Sequence, residues 1–114
     1  MLLRHGSYVA TLEVDEEDGV FVGRVVNAAG PVTFEGRDLP ELQREFAQSV
    51  AVYEEVCREE GVAPMRPYSG RFLIRIGPDE HARLAAAAAA AGKSMNAWAA
   101  TALARAAERE LESA

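Results

Sequence analysis

Residues 71–76 place the strongest constraint on what this chain can fold into. Apolar side chains at every second position alternate with two arginines and a leucine, in the order Arg71-Phe72-Leu73-Ile74-Arg75-Ile76. Side chains alternate between the two faces of a strand, so Phe72, Ile74 and Ile76 would share one face. The pattern predicts a short β-strand, and a lone strand needs a partner for its unpaired backbone groups.

Two alanine-rich helices are predicted after this strand. Pro78 suits the first turn of one helix, Gly92 suits its end, and Ser94 suits the cap of a second helix that runs to about residue 111. Residues 69–114 are too few, and too rich in alanine, to bury a sufficient core alone. We therefore predict that two chains pair their strands into a two-fold antiparallel ribbon covered by four helices. The predicted dimer core consists of Phe72, Ile74, Ile76, Leu84, Met95 and Leu103.

The opposite face of such a ribbon is suited to DNA. A two-stranded ribbon fits the major groove, where an arginine can donate two hydrogen bonds to guanine. Leu73 could contact a thymine methyl group, although it cannot hydrogen-bond to a base edge. Lys93 and the backbone N–H groups at the start of the second helix suit a phosphate. The predicted DNA-binding residues are Arg71, Leu73, Arg75, Lys93, Ser94 and Asn96.

Each of these assignments has a purely structural alternative. Arg71 and Arg75 could be solvated charges on a strand. Ser94 could act as a plain helix cap, since a cap and an anion site use the same N–H groups, and Asn96 could instead hold the start of the helix.

The first half of the chain predicts a small α+β domain. Residues 7–14, 20–26 and 32–35 have the composition of strands, and turn residues separate them. Asp38-Leu39-Pro40-Glu41 is a capping-box sequence, and Gly61 suits the end of the helix that follows. We expect a three- to four-stranded antiparallel sheet with one helix across it, the position of a fourth strand being open. The predicted domains are residues 1–61 and 69–114, joined by a proline-containing linker at residues 62–68.

Charge is distributed unevenly between the two halves. The net charge is −6, but residues 1–68 hold 6 arginines against 13 acidic residues, whereas residues 69–114 hold 6 basic residues against 5 acidic ones. An acidic surface attracts basic proteins and repels phosphate. Any DNA would therefore be bound by the second half, and the first half is suited to a basic protein partner.

No constellation in the sequence favours an enzyme. The cluster Asp15-Glu16-Glu17-Asp18 could suggest a metal-dependent nuclease, but neighbouring carboxylates in a turn splay apart, which favours a solvated turn. Only His5 and His81 are available as imidazole ligands, and Cys57 lies on the apolar stripe of the helix. We expect no catalytic residues, no metal and no cofactor. A single cysteine and the lack of a long apolar run predict a cytoplasmic protein.

Two stretches of the sequence resemble known families. Residues 70–76, the Pro78 helix start and Gly92-Lys93-Ser94-Met95-Asn96 resemble the ribbon-helix-helix repressors of the Arc and MetJ type. The first half is similar to the HicB antitoxins. That similarity rests on Tyr8, the turn before Gly19, residues 34–36, Phe46, Ser49-Val50, Tyr53, Cys57, Gly61 and Pro64, and it continues through Tyr68-Ser69-Gly70 to His81.

The resemblance implies a function that the residue patterns alone do not. It implies a degenerate ribonuclease-H-like first domain and a DNA-binding second domain. It also implies an antitoxin of a type II toxin-antitoxin system, which neutralises a small, basic, HicA-like toxin that cleaves messenger RNA and represses its own operon. A stand-alone ribbon-helix-helix regulator without a toxin is the alternative. Both functions require a homodimer, and association into a tetramer stays open.

Overall fold

The computed structural model describes residues 1–112, which form two compact units. The first unit comprises Met1–Ser69 and the second begins at Gly70. The last two residues of the predicted second domain, Ser113 and Ala114, lie outside the described residues.

The first unit contains a four-stranded antiparallel sheet. Its strands are β1 (Leu2–His5), β2 (Tyr8–Asp15), β3 (Val20–Val25) and β4 (Thr33–Gly36), and they follow the chain in the order β1-β2-β3-β4. This confirms the predicted α+β class and its antiparallel sheet. The fourth strand, whose position was open, is β1, which pairs with β2 from Leu2 opposite Thr11 to His5 opposite Tyr8.

One long helix, α1 (Leu39–Glu60), packs across the sheet. The Asp38 side chain accepts a hydrogen bond from the Glu41 N–H at 2.9 Å, as the capping sequence predicts. Gly61 ends the helix with φ +70°, a left-handed conformation that glycine adopts without a Cβ clash. Both helix ends are therefore determined by local sequence.

The core of the first unit lies between α1 and the sheet. Ala10, Val25 and Phe34 from the strands pack against Phe46 of the helix, and the rings of Phe34 and Phe46 stack with centroids 4.5 Å apart. This stacking requires a glycine at position 23, because a Cβ there would lie 2.2 Å from the Phe34 ring. Core packing thus depends on the absence of a side chain at one point of β3.

Residues 64–66 run beside the turn that joins β3 to β4. Met65 forms a bridge with Ala28, the Ala29 N–H donates to the Pro64 carbonyl at 2.9 Å, and the Arg66 N–H donates to the Asn27 carbonyl at 3.0 Å. This part of the predicted linker is therefore hydrogen-bonded to the first unit.

The second unit contains two helices, α2 (Pro78–Ala90) and α3 (Met95–Glu112). Both were predicted close to these positions. Residues 71–76 form no strand in the described chain, and they are not part of its sheet. The predicted ribbon needs a second chain. Among the described residues, none of the helices is long and apolar enough to cross a membrane.

Candidate nucleic-acid interface

Residues 71–76 expose an unusual amount of apolar surface. Phe72 is 75% exposed, Ile74 49% and Ile76 43%, while Leu73 on the alternate face is 89% exposed. Within the described part of the second unit, Ala88 is the one residue that is buried. This unit therefore lacks a core of its own, and the alternating segment holds the apolar surface from which a core could be built.

The turn between α2 and α3 is fixed by backbone and side-chain hydrogen bonds. Gly92 has φ +69°, and the Lys93 N–H donates to the Ala88 carbonyl at 3.0 Å. The Ser94 hydroxyl accepts from the Ala97 N–H at 3.1 Å. Ser94 is thus the N-terminal cap of α3, a role that the sequence alone also allowed for Asn96.

The other residues of the predicted interface differ in their surroundings. Lys93 lies with Trp98 and Arg105 along a hollow of about 250 Å³ beside this turn. Arg71, Arg75, Lys93, Ser94 and Asn96 are all exposed. The predicted face that would carry them needs strand pairing between two chains, and residues 71–76 form no strand in the described chain.

The predicted dimer core is likewise not assembled within one chain. Leu84 is half-buried, and Met95 and Leu103 are exposed. The site residues therefore stay predictions.

In the acidic turn between β2 and β3, the first carboxylate forms hydrogen bonds within the turn itself. The Asp15 side chain accepts hydrogen bonds from the N–H groups of Glu17 and Asp18, at 3.1 and 3.2 Å. Across residues 1–112, no three His, Cys, Asp or Glu side chains lie close enough together to hold a metal ion.

Several polar contacts in the first unit were not foreseen from the sequence. The Tyr53 hydroxyl donates to the Pro64 carbonyl at 2.7 Å and accepts from the Gly30 N–H at 2.9 Å. The Tyr8 hydroxyl donates to the Glu54 carboxylate at 3.1 Å. Burial, together with this carboxylate, raises the pKa of Tyr8 to about 12. The helical period places Tyr53 on the apolar stripe, but no local pattern shows what its hydroxyl contacts, since those partners are distant in sequence.

Comparison with known families gives a match that includes the junction between the two units. Residues 53–103 match the family model of the HicB family. The HicB match begins within α1, continues through the exposed alternating segment and ends within α3. It supports a relationship to the HicB family. No curated protein and no solved structure gives a significant match.

The HicB match covers all the candidate DNA-binding residues, because they lie between positions 71 and 96. It does not cover residues 1–52, which contain the whole sheet. The match therefore concerns mainly the second unit and the end of α1.

Proposed function

We propose that this chain is the antitoxin of a type II toxin-antitoxin system. Its first unit binds and neutralises a small, basic, HicA-like toxin, and its second unit forms a ribbon-helix-helix dimer that represses its own operon. The observation that carries the proposal is the exposed alternating segment in a unit without a core, within the stretch that matches the HicB family.

Strand pairing accounts for that exposed segment. When two copies of residues 71–76 pair in an antiparallel ribbon, Phe72, Ile74 and Ile76 face the helices and leave water. The same pairing supplies ladder hydrogen bonds to the backbone N–H and C=O groups of residues 72–76. Because the segment pairs with its own copy, the interface is two-fold symmetric.

The outer face of the paired ribbon then meets DNA. Arg71, Leu73 and Arg75 point into the major groove, where the two arginines can donate bidentate hydrogen bonds to guanine. The N-terminal end of α3, with Lys93 beside the Ser94 cap and Asn96 in the first turn, contacts the phosphate backbone.

DNA titration tests this part of the proposal. Duplexes selected by the protein from a randomised pool should bind with an affinity that falls steeply with salt, and an Arg75→Ala variant should lose ~1–3 kcal/mol of binding free energy. The control is the double variant Arg37→Ala/Arg44→Ala, which removes the same charge from the first unit as Arg71→Ala/Arg75→Ala removes from the ribbon. Equal binding by the wild type and the Arg71/Arg75 double variant would rule out the ribbon as the DNA reader.

The acidic first unit supports the toxin part of the proposal. Residues 1–68 carry a formal charge of −7, from 6 arginines and 13 acidic residues, which suits a basic partner. A tagged chain recovered from its native cells should retain a small basic protein in stoichiometric amount, identified by mass. Recovery of the chain with DNA alone would instead favour a stand-alone regulator.

A further inference from the structure

The first unit has a concave surface of its own. A hollow of about 310 Å³ opens between the β1–β2 turn, the middle of α1 and residues 64–65. This volume is at the small end of the range for ligand pockets, ~300–1,000 Å³, and it suits one long side chain better than a whole cofactor. The residues that line it and bear on the argument are His5, Tyr8, Val50, Glu54, Pro64 and Met65.

The walls of this hollow are held in place by hydrogen bonds. Asn27 connects two of them: its side chain donates to the Ser7 carbonyl at 2.8 Å and accepts from the Val9 N–H at 3.0 Å, while its carbonyl accepts from the Arg66 N–H at 3.0 Å. The Tyr53 hydroxyl fixes Pro64 from the helix side. The hollow therefore exists before any partner arrives, which lowers the entropic cost of binding.

The chemistry of the hollow combines apolar walls with one negative charge. Val50, Pro64 and Met65 supply the apolar surface. Glu54 is half-buried and accepts the Tyr8 hydroxyl through one carboxylate oxygen, Oε2. Among residues 1–112, no Lys, Arg or His lies within 4.0 Å of the Glu54 carboxylate as a salt-bridge partner, although Arg58, one helical turn further along α1, is attracted to it electrostatically. Besides Glu54 and Tyr8, the lining contains the titratable side chain of His5, whose ring packs against Phe46 with centroids 5.6 Å apart.

We propose that this hollow binds the side chain of an arginine from a basic protein partner. The methylene stem would pack along the apolar wall, and the guanidinium would donate to the carboxylate of Glu54. A planar guanidinium is less strongly hydrated than an ammonium and forms two parallel hydrogen bonds with a carboxylate, which favours arginine over lysine in a half-buried site. The identification of the partner with a toxin rests on the proposed function, but binding of the side chain does not.

A small probe tests the hollow without the partner. Nα-acetyl-arginine amide is titrated into the full-length protein while NMR signals of Tyr8, Glu54 and Met65 are followed, and the matched citrulline compound, similar in shape but uncharged, serves as the control ligand. We expect saturable chemical-shift changes at these residues with the arginine compound but not with the citrulline compound, and a dissociation constant on the order of millimolar. Equal shifts with citrulline would overturn the proposal.

Variants that remove one carboxylate charge test whether Glu54 binds the guanidinium. Glu54→Gln keeps an acceptor for the Tyr8 hydroxyl but removes the charge, so arginine binding should weaken by about tenfold or more. Glu59→Gln removes the same charge from an exposed position of α1 and should leave binding unchanged. Tyr8→Phe, which retains the carboxylate, should still bind. An equal loss in the Glu54 and Glu59 variants would mean general attraction to an acidic surface and would refute a specific site.

The two proposals can fail separately. If a basic protein is recovered with the chain but the arginine probe does not bind at Glu54, the hollow is not an arginine site and the antitoxin function stands. If the probe binds and no basic protein is recovered, the side-chain site stands and the antitoxin function fails.

Discussion

Replacement of Ile74 by alanine tests dimerisation through the alternating segment. Ile74 exposes 49% of its surface in the single chain, and full burial of such a side chain stabilises by ~1.5–3 kcal/mol, so pairing would contribute ~1 kcal/mol from each copy. Two copies per dimer, together with the cost of the cavity that alanine leaves, give a loss of ~2–4 kcal/mol. The dissociation constant of the dimer should therefore rise by roughly 30- to 1,000-fold, measured by sedimentation equilibrium.

The adjacent residue supplies a matched control. Leucine and isoleucine are isomers, so Leu73→Ala removes the same atoms as Ile74→Ala, but Leu73 belongs to the opposite face of the predicted ribbon and is 89% exposed. Leu73→Ala should leave the dimer intact and change DNA binding instead. The reasoning is refuted if both variants weaken the dimer equally, or if Ile74→Ala leaves it unchanged.

Three further predictions concern the first unit. Tyr53→Phe removes a hydroxyl that makes two hydrogen bonds and should lower the free energy of unfolding by ~2–3 kcal/mol, measured in urea titrations followed by NMR. The control Tyr68→Phe, at an exposed position, should change the free energy of unfolding little. Equal effects of the two variants would contradict the role of the Tyr53 hydroxyl. Gly23→Ala should destabilise the unit because the new methyl group overlaps the Phe34 ring; an unchanged thermal midpoint would show that the ring can move aside. The pKa of Tyr8 is raised to about 12, so its contribution to stability is complete below about pH 10 and is lost as the pH rises towards 12. Absorbance at the tyrosinate band should show a phenol titrating near pH 12 that is missing in Tyr8→Phe, and its persistence in the variant would assign it elsewhere.

Local sequence was sufficient for most elements of the fold. The capping sequence at Asp38 and the glycine at position 61 correctly predict both ends of α1, and Ser94 correctly predicts the start of α3. These features succeed because each depends on neighbours within a few residues. Alternation likewise predicts β2, and β-branched and aromatic composition predicts β3, which pairs with β2 across a short turn.

Elements whose contacts are distant in sequence were harder to predict. The strand β1 is only four residues long, and two leucines before the Gly6-Ser7 turn were its sole signal. The attachment of residues 64–66 depends on Asn27 and Tyr53, which are far away in sequence. The same limitation applies to the hollow at Glu54, since its walls come from three separate parts of the chain.

The candidate DNA interface poses a different problem, because one chain does not contain all of it. The first unit has a buried core, whereas the described part of the second unit buries one alanine. If the core of the second unit forms only on pairing, folding of that unit is coupled to association, and its stability rises with protein concentration. DNA binding through the ribbon would then require a dimer. Under conditions in which the monomer predominates, the fraction of operator bound should therefore rise more steeply than in proportion to the concentration of the chain. A linear dependence under those conditions would show that one chain binds DNA alone.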